Sequence, residues 1–264
     1  MPALQPTEAT DIRSAVQQRY TLVAERGLQA IPDDGGGCCG TAESCCSPNA
    51  ERLYSPEEID AVTDAAAAAS AGCGNPIAIG ELRPGETILD LGSGGGIDCF
   101  LAARQVGPTG RVIGIDMTPA MIDLARKNAA TLEAHNVVFK LSQIESLPEP
   151  DGSVDAIISN CVINLAPDKP RVFAEAFRVL RPGGRLHVSD IVVTEELPLE
   201  VQADVSQWTG CIAGAQVQDT YLGQMADAGF SDIEIVTSVP TSSAGDEPWA
   251  HAVRSISVRA TKPS

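Results

Sequence analysis

The chain has 264 residues, enough for one α/β domain with modest additions, and length alone does not demand two. Hydrophobic residues make up 44% of it but aromatics only 4%, so a core has to be built mainly from Ala, Val, Ile and Leu. The 18 basic and 35 acidic residues leave a net charge of −17, which repels phosphate backbones and argues against a nucleic-acid partner.

The first six residues, Met1-Pro2-Ala3-Leu4-Gln5-Pro6, lack the basic and apolar regions of a signal peptide. No run approaches the ~20 apolar residues of a membrane span. The sequence therefore reads as cytoplasmic, with no membrane partner. In a reducing compartment its eight cysteines point to packing, metal binding or chemistry rather than a stable disulfide framework.

Ile12, Val16, Tyr20 and Val23 recur at helical spacing, which predicts a helix over 9–27 ended by Gly27. Two readings stand for it: a helix packed on the domain, or a lid over a ligand with Tyr20 facing inward. Residues 32–49 read as a turn-rich loop carrying Cys38-Cys39 and Cys45-Cys46. Ser55-Pro56-Glu57-Glu58 is a capping box with proline in the first turn, predicting a helix that runs into Ala65–Ala69 and stops by Gly72-Cys73-Gly74-Asn75-Pro76. Ile77–Leu82 reads as a short helix.

From Thr87 onward short apolar runs alternate with helical segments. Strands are expected at Thr87–Leu91, Arg111–Asp116, Val137–Leu141, Val154–Ser159 and Arg185–Ile191, and helices at Ile97–Val106, Ala120–Leu132 and Arg171–Leu180. This alternation predicts a parallel sheet with helices on both faces. Val201–Gly214 reads as helix or helix-loop, and Thr220–Ala228 as a helix capped by Gly229. Ser231–Val236 and Ala252–Ala260 are expected as closing strands.

The first strand runs into Gly92-Ser93-Gly94-Gly95-Gly96, whose glycines let the backbone turn and approach a ligand at the next helix. Asp116 ends the following strand, where a carboxylate can accept hydrogen bonds from two ribose hydroxyls. A dinucleotide and S-adenosylmethionine compete for such a loop. Asp90-Leu91-Gly92-Ser93-Gly94 resembles the first motif of class I methyltransferases, and Gly114-Ile115-Asp116-Met117 the second. Gln143-Ile144-Glu145-Ser146-Leu147-Pro148, Val154–Asn160 and Leu180–Leu186 resemble the later ones. The resemblance implies a Rossmann-like, mostly parallel seven-stranded sheet binding S-adenosylmethionine. Its cofactor residues are Asp90, Gly92, Ser93, Gly94, Gly96, Asp116, Met117, Gln143, Ile144, Glu145 and Asn160.

Cys161 follows the fourth strand at the sheet end where ligands bind; taken alone it is as well read as a packing residue. Cys73 and Cys211 sit in glycine-flanked turns before and after the core, and Cys99 reads as core. No C-x-x-C is present, and none of the three histidines stands at zinc-finger spacing from a cysteine. Soft trivalent arsenic suits a small pyramid of thiolates drawn from distant segments.

Gly72–Pro76, Ser159–Lys169 and Trp208–Ala215 resemble the signature segments of arsenite S-adenosylmethionine methyltransferases, a likeness covering roughly residues 10 to 235. It implies that Cys73, Cys161 and Cys211 hold trivalent arsenic. It also implies that an N-terminal cysteine, matched by Cys45 or Cys46, joins disulfide exchange, with Cys73 as a partner. Cys38 and Cys39 are extra, and the region after Val236 matches less well. The implied partners are arsenite or its thiol conjugates and a glutathione- or thioredoxin-type reductant. Three segments are expected: an N-terminal cysteine-bearing extension over 1–76, the cofactor core over 77–195, and a small C-terminal region over 196–264 with substrate-site residues and closing strands. The alternatives are a C- or O-methyltransferase of an organic small molecule, and a non-catalytic thiol-rich arsenite binder.

Overall fold

The computed structural model describes residues 6–28, 53–78, 82–241 and 247–264. The loop thiols Cys38, Cys39, Cys45 and Cys46 lie outside the described residues. Helix α1 spans Pro6–Leu28, and two short helices follow, α2 (Pro56–Ile59) and α3 (Asp64–Ala68). The alternating region gives β1 (Thr87–Leu91), α4 (Ile97–Val106), β2 (Arg111–Asp116), α5 (Pro119–Thr131), β3 (Val137–Leu141), β4 (Val154–Asn160), α6 (Lys169–Val179) and β5 (Leu180–Val193). Short helices α7 (Leu199–Gln202) and α8 (Val205–Thr209) precede α9 (Gln218–Asp227), β6 (Ser231–Pro240) and β7 (Val253–Thr261). No described helix is long and apolar enough to cross a membrane.

The sequence expects one helix through the alanine stretch, and the structure breaks it in two. Ser55 and Glu58 form the reciprocal capping box, but α2 ends at Asp60. Thr63 takes an extended backbone and accepts the amide of Ala66 at 3.1 Å, which starts a new helix. The expected helix at Ile77–Leu82 is a turn over residues 76–78, with 79–81 outside the described residues. At the far end, Gly229 follows α9 with φ of 106°, the left-handed conformation that glycine supplies after a helix.

The seven strands form one sheet in the order β3-β2-β1-β4-β5-β7-β6. The five strands from β1 to β5 pair in parallel, and β7 runs antiparallel to both β5 and β6. The closing pair belongs to the same sheet as the cofactor core.

Strands covered on both faces read as continuous apolar runs, and β1 is one: Ile88, Leu89 and Leu91 are fully buried. Leu89, Leu91, Ile113 and Ile115 face α6 and α9, where Phe173 meets Tyr221 edge-on at 5.2 Å. Ile88 and Val112 face the other way, onto Phe100 and Leu101 of α4 and Ile122 of α5. Truncating Phe173 to alanine would empty the first layer at a cost of ~3–5 kcal/mol. Helix α1 seats Ile12 and Val16 against Trp208 and Ile212, and Ala24 against Met121 and Leu124. It thereby closes over the carboxyl end of the sheet.

Candidate active site

The strand ends, the glycine loop and α1 line one cleft that opens to solvent. Its wall begins at the loop after β1. Gly92 has φ of 70°, and a Cβ there would meet Val162 Cγ2 at 2.3 Å. Gly94 has φ of 51° with nothing within 4 Å of its Cβ position, so bare backbone faces open space. The carboxylate of Asp116 accepts from the Gly94 amide at 3.0 Å and the Thr118 amide at 2.8 Å. Burial nonetheless holds its pKa above the ordinary carboxylate range.

Ser93, Gly94, Asp116, Met117, Ile144, Glu145 and Asn160 all line the cleft. The Ser93 hydroxyl is buried there without a hydrogen-bond partner. An unpartnered hydroxyl, an open glycine backbone, a carboxylate at the second strand end and apolar walls from Met117 and Ile144 together fit an adenosine-bearing ligand.

Three of the cofactor residues read from the sequence stand elsewhere. Asp90 lies behind the wall, buried, accepting from the Cys99 thiol at 3.1 Å. Gly96 caps the first turn of α4 behind the loop. Gln143 lines a separate depression beside Gln17 and Leu141. A further acid that reaches the cleft, beside Asp116 and Glu145, is Asp98, in the first turn of α4. It accepts from Tyr54 at 2.7 Å and from Asn160 Nδ2 at 3.3 Å, and burial pushes its pKa up to about 6. Tyr54 and Asp98 carry no motif signal of their own; an acid one residue into the helix after a glycine loop was the available cue.

Helix α1 reaches the cleft through Arg13, Val16 and Tyr20, so Tyr20 faces inward. Arg13 pairs with Glu145 at 3.0 Å, and Gln17 donates to the Met117 carbonyl at 2.9 Å. The helix is thus both packed on the domain and fastened over the ligand space.

Beyond the loop, β4 ends in Asn160-Cys161. The chain turns there with Cys161 at φ of 56°, its amide donating to the Ser189 carbonyl at 2.8 Å. Cys211, after α8, has φ of 65°, and its thiol donates to the Cys161 carbonyl at 3.2 Å. A left-handed non-glycine residue costs about 1–2 kcal/mol. Such residues number four in the described chain, and two of them are these cysteines, so packing alone is a poor reason for their presence.

Cys73 comes from the turn before the sheet and is joined to Cys161 by a disulfide, with Cα atoms 5.8 Å apart. The sequence expects thiols at both positions, and pairs Cys73 with Cys45 or Cys46 if with anything. The structure instead joins two residues 88 apart in the chain. The side chain of Asn160 organises this corner. Its Oδ1 accepts from the amides of Cys73 at 3.0 Å and Gly74 at 3.3 Å, and its Nδ2 donates to the Gly74 carbonyl at 2.7 Å. A Cβ on Gly72 would lie 2.3 Å from Asn160 Nδ2, so only glycine lets the turn come this close. Cys161 lines the cleft, and Cys73 and Cys211 lie behind it.

Two further buried ionisable groups adjoin the cysteines, and neither is among the site residues expected from the sequence. Asp190 of β5 has an oxygen within 4.8 Å of the sulfurs of Cys73 and Cys161, and burial pushes its pKa up to about 7. Lys169 donates to the carbonyls of Asn164 and Ala166 and stands 5.4 Å over the Trp208 ring; burial pulls its pKa down to about 8. The Cys211 thiol is pushed up to about 12, first by burial and then by the Asp190 charge.

Comparison with known proteins agrees with this architecture. A family model described as a methyltransferase domain matches residues 82–230. The chain is 48% identical over 232 residues to an arsenite methyltransferase of Halobacterium salinarum, covering 85% of this chain and 59% of that protein. It is 36% identical over 247 residues to the arsenite methyltransferase of Homo sapiens, covering 90% of this chain and 62% of that protein. The chain thus spans less than two thirds of the length of these curated relatives. The crystal structure of CrArsM, an arsenic(III) S-adenosylmethionine methyltransferase from Chlamydomonas reinhardtii, superposes with a TM-score of 0.63 at 33% identity, covering 82% of this chain and 72% of that one. The chain belongs to the methyltransferase-domain family, within its branch of arsenic(III) S-adenosylmethionine methyltransferases.

Proposed function

We propose that this chain methylates trivalent arsenic, arsenite first and methylarsonous acid next, from S-adenosylmethionine, with Cys73, Cys161 and Cys211 as the arsenic-binding residues. The observation that carries the reading is the meeting of these three cysteines, from three distant segments, at the end of the cleft that begins at the glycine loop.

On this reading residues 1–76 are the cysteine-bearing extension, 77–195 the cofactor core, and 196–264 the segment that brings Cys211 to the site. Asp116 holds the ribose hydroxyls, Met117 and Ile144 flank the adenine, and Glu145 borders it, with Gln143 outside the cleft. Ser93, Asp98 and Asn160 face the amino-acid end, with Asp90 and Gly96 shaping the loop from behind. When bound, S-adenosylmethionine supplies an electrophilic methyl group on a sulfonium centre.

Arsenous acid exchanges its hydroxyls for the cysteine thiolates, each thiol proton leaving as water with a hydroxyl. A thiol pushed up to about 12, as Cys211 is, ionises as arsenic binds rather than beforehand. Three thiolates leave the arsenic lone pair free, and that lone pair is the nucleophile, so no general base is required. The protein's contribution is alignment and exclusion of water, which α1 serves by closing over the cleft.

Methyl transfer raises arsenic from the trivalent to the pentavalent state. Two thiolates return the two electrons by leaving as a disulfide, and the bonded sulfurs of Cys73 and Cys161 support that pair. A thiol reductant of the glutathione or thioredoxin type then gives up two electrons and two protons and becomes a disulfide itself. Cys45 or Cys46 serves as the relay to that reductant. The cycle needs a reducing compartment, which the cytoplasm provides.

The test is arsenic speciation by chromatography with elemental detection, after incubating the purified chain with arsenite, S-adenosylmethionine and a thiol reductant. Methylated arsenic is expected from the parent and none from Cys161→Ser, which still binds the cofactor. Full turnover by Cys161→Ser would overturn the assignment of the thiolates. No product from a parent that binds cofactor would move the acceptor to an organic molecule.

A further inference from the structure

Asp190 is wholly buried, and burying a carboxylate is costly unless a cation or hydrogen bonds offset it. Its offsets are the Tyr221 hydroxyl, donating at 3.1 Å, the Ile191 amide at 2.9 Å and a backbone hydrogen bond from Asn164. Lys169, whose charge Asp190 feels, directs its hydrogen bonds to backbone carbonyls. The methylation chemistry above asks nothing of this carboxylate. Yet one of its oxygens and the sulfurs of Cys73 and Cys161 all lie within 4.8 Å of one another.

We propose that, once the Cys73–Cys161 bond is reduced, the two thiolates and the Asp190 carboxylate form a binding site for a divalent cation of the zinc class, and that its occupancy excludes arsenic. Only the exclusion rests on the functional reading above; cation binding stands without it.

The donor set carries the argument. Two thiolates and a carboxylate suit a borderline-soft d¹⁰ cation, with the fourth position left to water or Cys211. Each donor is held by a second group, as a metal site requires. Asn160 fixes the Cys73 amide at 3.0 Å, Ser189 the Cys161 amide at 2.8 Å, and Tyr221 the carboxylate. Cys161 lines the cleft, which provides an entry path. Trivalent arsenic takes the thiolates and has little use for a carboxylate, so Asp190 distinguishes the two ligands.

The site is gated by oxidation state. In the disulfide the sulfurs are spent on each other. A trialkylphosphine opens the bond by giving two electrons and taking an oxygen from water, whose hydrogens become the two thiol protons. The cation then displaces those protons to solvent.

The experiment uses the full chain carrying Cys38→Ser, Cys39→Ser, Cys45→Ser and Cys46→Ser, so that the loop thiols contribute nothing. It is reduced with a trialkylphosphine, desalted and titrated with cadmium, read by thiolate-to-cadmium absorbance and equilibrium dialysis. Arsenite binding is measured in parallel, alone and with cadmium present. One cadmium per chain is expected when reduced and none when oxidised, and bound cadmium should displace arsenite. Asp190→Asn should weaken cadmium by about tenfold or more while arsenite affinity stays within about twofold. Tyr221→Phe, which removes only the hydroxyl holding Asp190, should weaken cadmium in the same direction and serves if Asp190→Asn does not fold.

Equal binding by oxidised and reduced chains, or cadmium affinity unchanged in the folded variant tested, overturns the site. Cadmium and arsenite bound together would overturn the exclusion. A reduced chain that takes cadmium but no arsenite would sink the functional reading and leave the cation site standing.

Discussion

Replacing Asn160 with alanine removes the side chain that fastens the Cys73 turn to the end of β4. Two backbone amides, of Cys73 and Gly74, and the Gly74 carbonyl lose their partner together. At about 1 kcal/mol for each such bond the turn loses ~3 kcal/mol of docking energy, or about a hundredfold in the ratio of docked to detached turn. Cys73 carries the consequence, because its sulfur reaches Cys161 only when the turn is docked. In the reduced chain, alkylation of Cys73 should therefore speed up by as much as about a hundredfold, measured by mass spectrometry against time. Global stability in urea should fall by no more than ~5 kcal/mol, the turn's bonds plus those that Asn160 Nδ2 makes to the Tyr54 hydroxyl and to Asp98, since the turn can detach before the sheet unfolds. An alkylation rate within about twofold of the parent, with unchanged urea stability, would refute the view that Asn160 holds this turn.

Asp116→Ala leaves the amides of Gly94 and Thr118 without their acceptor, and S-adenosylmethionine binding by calorimetry should weaken about tenfold or more; unchanged affinity would mean that the ribose is held elsewhere. His187 is buried with neither ring nitrogen partnered, and burial lowers its pKa from 6.5 to about 4. The folded state thus binds this proton less well than the unfolded chain. Its contribution is present above about pH 6.5 and is lost as pH falls toward 4, so urea stability should drop across that window. His187→Leu should flatten the drop, and an identical slope would remove His187 as its source. A net charge of −17 predicts a melting temperature that rises with sodium chloride as self-repulsion is screened; a flat or falling trend between low and molar salt would contradict this.

The elements that local pattern controls were legible. The spacing of apolar residues and the glycine loop fix the bounds of β1, α4, β2 and β3 as the structure has them. The helix break at Asp60 was not legible, because Thr63 competes for the Ala66 amide and alanine periodicity hides that. The likeness of the cysteine segments named Cys73, Cys161 and Cys211, but no local pattern says which sulfurs meet. That depends on a parallel crossover bringing residues 88 apart together. Asp98 and Asp190 were invisible for a related reason. Each looks like an ordinary charge at an element end, and only packing by Tyr54 and Tyr221 shows that it is buried and held.

The bond between Cys73 and Cys161 has a topological consequence. The segment it closes contains β1, the glycine loop, β2, β3 and β4, so the whole first half of the cofactor fold becomes a covalent ring. A ring of 88 residues restricts the unfolded chain by ~4–5 kcal/mol in the chain-entropy account. The oxidised protein is therefore the harder one to unfold, and reduction opens the ring at the moment the sulfurs become free. Each turn of the proposed cycle would carry the fold between a tethered and an untethered form, and a protease nick between residues 73 and 161 would release a fragment only from the second.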